Sequence, residues 1–208
     1  GLTLRGYLTT GPSAGPGAPG VVLLHQFQQN DEQWGDLPEA LAEGGYRVLA
    51  FNLRGHGDSD PYPGADLTSL LTDPEGAPRD VDAAIAYLKG EGAADPSRIA
   101  VVGTSIGANL AVASAIKAQA RTYVAFSARK PPTEALAALP ATGMTSVFYL
   151  ASENDSGAQA ADAQTLHDAT SAPREVFVYP GSADHGIAIL ENNADARERL
   201  LGWLSSNL

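Results

Sequence analysis

The pentapeptide Gly103-Thr104-Ser105-Ile106-Gly107 narrows the possible folds of this chain more than any other feature. It lies directly between the apolar run Ile99-Ala100-Val101-Val102 and an Ala-rich stretch over residues 108–118. A side chain perched on a sharp strand-to-helix turn has strained backbone angles. Its neighbours two residues away must then be nearly without side chains. Gly103 and Gly107 meet that need. Such a turn also aims the first N–H groups of the new helix at the space before Ser105. A five-residue pattern with three fixed positions is common by chance, so its placement between strand and helix carries the weight.

The rest of the chain repeats that alternation of short apolar runs and amphipathic segments, which predicts a mostly parallel sheet covered by helices. Residues 2–9 read as an early antiparallel strand, and residues 11–20 as a Pro/Gly-rich loop. Val21-Val22-Leu23-Leu24 reads as a strand buried on both faces. Residues 31–43 read as one helix, with Trp34, Leu37 and Leu41 on one side and Gly44-Gly45 as its stop. Further strands are expected at 46–51, 99–102, 123–128, 146–151 and 175–179, and further helices at 80–89, 108–118 and 158–169. Ala196, Leu200, Trp203 and Leu204 mark a last helix. No repeat and no second domain is visible, so residues 1–208 read as one domain.

Composition excludes several function classes. A formal charge of −11 argues against nucleic acid and against an anionic membrane surface. With zero Cys there is no disulfide, no thiolate nucleophile and no Cys-based metal site. No apolar run approaches the roughly 18 residues of a membrane span. The first residue is Gly1, compatible with a leader removed before it; cytoplasmic and secreted locations both stay open. Oligomeric state is not legible.

A serine at neutral pH needs a base, and the chain has 4 His. His25 ends the first buried strand, His56 lies in Arg54-Gly55-His56-Gly57-Asp58-Ser59, and His167 falls in the 158–169 helix as a surface residue. His185 lies in Gly181-Ser182-Ala183-Asp184-His185-Gly186, after the last strand and before the last helix. Strand carboxyl ends gather on one edge of such a sheet, so this loop and the Ser105 turn should open together. The carboxylate that orients the base is read as Asp155, in the turn-rich stretch after the 146–151 strand. Glu153, nearer the strand, and Asp162, inside the helix, are its rivals.

With these residues the chain resembles the α/β-hydrolase family along nearly its whole length, and Ser105, Asp155, His185 is the order expected for that fold. Asn52-Leu53-Arg54-Gly55-His56-Gly57-Asp58-Ser59 is similar to the family's Arg-Gly-x-Gly-x-Ser loop, whose role is mostly structural; the family usually has Asp where Asn52 stands. Leu23-Leu24-His25-Gln26-Phe27 is similar to its His-Gly-x oxyanion loop. The resemblance implies that the backbone N–H groups of Phe27 and Ile106 bind an oxyanion, with Gln26 as the alternative to Phe27 because it replaces the usual Gly. Many members insert a helical cap before the acid residue. Here only residues 129–145 are available, which leaves room for a turn or two of helix and implies an open, shallow site without a substantial lid. In size and lack of a cap the chain is similar to small carboxylesterases and dienelactone-hydrolase-like proteins. Dienelactone hydrolases use a Cys nucleophile, which this chain lacks.

The expected activity is hydrolysis of small carboxylic esters through an acyl-enzyme, with no metal or organic cofactor. Thioester, amide and peptide cleavage use the same residues. A catalytically silent binding protein on the same fold is the alternative of another class. Dinucleotide binding is disfavoured because His25-Gln26-Phe27-Gln28-Gln29 has no Gly for close phosphate approach.

Overall fold

The computed structural model describes residues 1–62, 66–73, 75–117, 119–139, 145–157, 159–171 and 173–208. Among the described residues seven strands form one sheet in the order β1-β3-β2-β4-β5-β6-β7. They are β1 (Gly6–Thr10), β2 (Gly20–Leu24), β3 (Arg47–Phe51), β4 (Ile99–Thr104), β5 (Thr122–Phe126), β6 (Ser146–Ser152) and β7 (Arg174–Tyr179). All pairings are parallel except the edge pair, where β1 runs antiparallel to β3.

The continuous apolar runs follow from burial on both faces. Val22 and Leu24 of β2 join one core cluster and Val21 and Leu23 the other. The first cluster takes in α3 (Ala77–Lys89), α4 (Ile106–Ile116) and α6 (Gln159–Ala169), through Val81, Ile85, Leu110 and Leu166. The opposite cluster holds α1 (Leu37–Glu43) and α8 (Ala196–Asn207), through Leu37, Leu41, Leu200 and Trp203. The helix after Ser105 is the Ala-rich one for a packing reason. Ala108, Ala111 and Ala115 are fully buried, and such small side chains let α4 lie close against the sheet.

The expected helix over residues 31–43 is two elements, a 3₁₀ turn (Asp31–Trp34) and α1. Pro38 is the cause: it has no N–H to continue a helix from Trp34, so it sits in the first turn of a new one. Two short helices without a clear apolar period escape the sequence reading: α2 (Leu67–Thr72) and α7 (Ile187–Asn192). Among the described residues of the 129–145 connection one short helix, α5 (Thr133–Ala138), stands where a cap would be; residues 140–144 lie outside those described.

Two buried interactions fix the loops after β2 and β3. The Arg54 guanidinium grips Asp80 of α3 from both Nε and a terminal nitrogen, the latter at 2.7 Å from Oδ1, and the Arg54 N–H donates to the same carboxylate at 3.0 Å. His25 is fully buried; the Leu53 N–H donates to its Nε2 at 2.9 Å, so its Nδ1–H donates to the Gln26 carbonyl at 2.8 Å. Burial disfavours the charged ring and lowers its pKa from 6.5 to about 4.

This sets a pH dependence of stability. The unfolded chain takes up the His25 proton first, so the stabilisation is complete above about pH 6.5 and is lost as pH falls towards about 4. The loss is roughly 3 kcal/mol at most, by the conversion of pKa shift to free energy. His25→Gln keeps one acceptor and one donor without the titration. Urea unfolding in steps across this window should therefore show wild type losing more stability than His25→Gln. Parallel losses would exclude His25 as the source.

Candidate active site

The sheet changes direction of winding between β2 and β4, and crevices of this kind open beyond the strand carboxyl ends at that point. Ser105 follows β4 directly, between β4 and α4, with φ 53° and ψ −111°. That left-handed backbone is costly for a residue with a Cβ and occurs where surrounding structure holds it. The flanking glycines permit the turn by their lack of bulk. A Cβ on Gly103 would lie 2.2 Å from the Gly107 carbonyl oxygen, and one on Gly107 would lie 2.1 Å from that of Leu24. The Ser105 N–H donates to the Phe126 carbonyl at 2.9 Å, tying the turn to β5.

Asp155 and His185 come from the loops after β6 and β7. His185 Nδ1 lies 2.7 Å from Asp155 Oδ2, and His185 Nε2 lies 2.8 Å from Ser105 Oγ. A carboxylate only accepts, so Nδ1 carries the proton and Nε2 is free to accept from the Ser105 hydroxyl. The Asp155 side chain is 3% exposed, whereas that of His185 is 39% exposed. Hydroxyl, imidazole and carboxylate thus stand in one line, an order in which the imidazole can draw the proton off the hydroxyl while the carboxylate holds its tautomer.

The rival carboxylates are elsewhere. Glu153 is exposed and accepts the Gly181 N–H at 2.7 Å. Asp162, on α6, faces Arg129 at 3.7 Å and Lys130 at 3.9 Å. His167 pairs with Asp168 on the surface of α6, and His56 is buried against Phe27, with ring centroids 5.6 Å apart.

Of the two adjacent amides of Gln26 and Phe27, the Gln26 N–H already donates to Gln33 Oε1 at 3.1 Å. Among the described residues the Phe27 N–H has no such acceptor. Ile106 is the first residue of α4, so its N–H has no acceptor within the helix. No sequence motif marks the roles of the Gln33, Thr104 and Ser127 side chains, all of which hydrogen-bond to this loop cluster. Only Gln26 carried a signal, as the side chain where a Gly is usual. Among the described residues no group of three or more His, Asp or Glu could hold a metal ion, and no helix is long and apolar enough to cross a membrane.

A family model described as the dienelactone hydrolase family matches residues 4–205. An uncharacterized protein of Mycobacterium tuberculosis is 32% identical over 133 residues, covering 64% of this chain and 43% of that protein. The chain thus spans less than half the length of the first curated relatives it matches. Among solved structures, one from work on carboxylesterases of the thaumarchaeon Nitrososphaera gargenis superposes with a TM-score of 0.78 at 14% identity, over 98% of this chain and 94% of that one. The enol-lactonase of Burkholderia xenovorans gives 0.72 at 17% identity, over 98% and 97%. At these identities the likeness is one of fold.

Proposed function

Since the chain belongs to the dienelactone hydrolase family, we propose that it is a serine hydrolase of small carboxylic esters, working through Ser105, His185 and Asp155. The observation that carries this reading is the continuous hydrogen-bonded line from Ser105 Oγ through both ring nitrogens of His185 to Asp155. With Ser where dienelactone hydrolases have Cys, the nucleophile is a far weaker acid, and removal of its proton by His185 becomes indispensable.

His185 Nε2 takes the Ser105 proton as Oγ attacks the ester carbonyl carbon. The Phe27 and Ile106 N–H groups receive the oxyanion; the engagement of the Gln26 amide by Gln33 favours Phe27 over Gln26. The protonated imidazole, stabilised by Asp155, then gives its proton to the departing alcohol. Water repeats the attack on the acyl-enzyme and restores Ser105. The partner is a small-molecule ester, and no step requires a cofactor.

Two measurements test this reading. A fluorophosphonate probe should label Ser105, and an unlabelled chain would point instead to a binding protein. A series of p-nitrophenyl esters from C2 to C16 should give the highest kcat/KM between C2 and C6. The short 129–145 connection leaves little apolar wall, and each buried CH₂ adds only about 0.8 kcal/mol where wall exists. A maximum at C12 or longer would overturn the short-chain reading. It would direct attention to the apolar groove along α4, bounded by Asn109, Val112, Ile116 and Pro132.

A further inference from the structure

The loop carrying His185 reaches β4 from the far side of the sheet, since β7 is an edge strand and β5 and β6 stand between. The loop ends above the nucleophile with the imidazole partly exposed. Its first turn is tied to the loop after β6, by the Asn154 N–H on the Ser182 carbonyl and the Gly181 N–H on Glu153, and His185 itself by Asp155. The two residues after His185 tie down its far end. The Gly186 N–H donates to Ser127 Oγ at 2.9 Å, and the Ile187 N–H donates to Gln26 Oε1 at 3.1 Å. Ser127 follows β5 and Gln26 follows β2, the strands on either side of β4. The loop is therefore fastened on both flanks of the strand that presents Ser105.

Each fastening has its own support. Gln26 is held by its N–H on Gln33 Oε1, and Gln33 Nε2 donates at 2.9 Å to Oγ1 of Thr104, the residue before the nucleophile. The chain of bonds Thr104–Gln33–Gln26–Ile187 thus starts beside Ser105 and ends beside His185. The partners also dictate which atom of each amide is oxygen, because backbone N–H groups must meet acceptors. Gly186 leaves the required room: at φ 59°, a Cβ there would lie 2.2 Å from Gln26 Oε1. Ser127 is 1% exposed yet has φ 57°, and its N–H is held by the Leu150 carbonyl at 2.8 Å. A buried residue other than Gly in that conformation is maintained against local strain, which points to use of its side chain.

We propose that Gln26 and Ser127 are positioning residues, a two-point clasp on Gly186 and Ile187 that fixes His185 over Ser105. The inference rests on the proposed hydrolase reading for its effect on rate, and on hydrogen bonding alone for its effect on the loop. It also accounts for Gln26, whose side chain reaches the base loop as no Gly could.

The test compares Gln26→Leu, Ser127→Gly and Gln26→Glu with wild type in the full chain. The readouts are p-nitrophenyl butyrate kinetics, melting temperature and amide hydrogen exchange at residues 186 and 187. Slight misplacement of a catalytic group costs up to about 10²-fold in rate. Gln26→Leu and Ser127→Gly should therefore each lower kcat by about 10- to 100-fold while KM stays within about threefold. Ser127→Gly should melt close to wild type, because relief of the left-handed backbone offsets the loss of the acceptor for the Gly186 N–H. Exchange should quicken at Ile187 in Gln26→Leu and at Gly186 in Ser127→Gly. Gln26→Glu keeps an acceptor and should restore protection of Ile187. If Gln26→Leu does not fold, Ser127→Gly carries the test. Unchanged kcat in an active protein, or unchanged exchange at both amides, would overturn the clasp. A wild type that hydrolyses no ester and leaves Ser105 unlabelled sinks the hydrolase reading instead, while the exchange rates still decide the clasp.

Discussion

Ser105→Ala and His185→Ala are each expected to lower kcat by at least about 10³, and the double variant to be scarcely worse than either. The reasoning starts from the 2.8 Å separation of Ser105 Oγ and His185 Nε2. Without the imidazole the hydroxyl keeps its proton and is a poor nucleophile; without the hydroxyl the imidazole has nothing to activate. Either loss removes the same event, worth about 4 kcal/mol or more of barrier, so the second loss has little left to remove. In the proposed mechanism the rate remaining should come from the Phe27 and Ile106 amides, which neither substitution touches. Both variants should fold, since Ser105 and His185 make no contribution to either core cluster. Losses that add in free energy would show two residues working separately and would dismantle the proposed mechanism.

What could be read beforehand, and what could not, divides along physical lines. The run from Val21 to Leu24 announces a strand between two helical layers because every side chain must be apolar when both faces are covered. The Ser105 turn is legible because Gly103 and Gly107 fill space that admits no Cβ at all. The break at Pro38 is present in the residues, but the periodic apolar stripe across it reads as one helix. The Arg54–Asp80 pair lies beyond such reading. Its partners are 26 residues apart, and only the packing of α3 brings them together. Ser127 gave no signal either, since its φ of 57° and its bond to Gly186 arise from the meeting of loops after β5 and β7. Local chemistry is written locally, whereas juxtaposition of loops depends on the assembled sheet.

Asp155→Asn is expected to cut kcat by about 10³ to 10⁴, and Glu153→Gln to leave it nearly unchanged. Sequence position separates these residues poorly, because both follow β6 within a few residues. Depth and direction separate them well. Asp155 is buried with Oδ2 at 2.7 Å from His185 Nδ1, while Glu153 is exposed and accepts the Gly181 N–H. In Asp155→Asn an amide nitrogen can turn towards Nδ1 as a donor. It then favours the tautomer with the proton on Nε2, and that ring cannot accept from Ser105. The amide also lacks the negative charge that, in the proposed mechanism, stabilises the imidazolium formed as Ser105 attacks. In Glu153→Gln the replacement still offers an oxygen to Gly181, and nothing at His185 changes. Melting temperatures measured beside the rates separate loss of chemistry from loss of folding. A folded, fully active Asp155→Asn beside a crippled Glu153→Gln would move the orienting role to Glu153 and require the β6 and β7 loops to rearrange in solution.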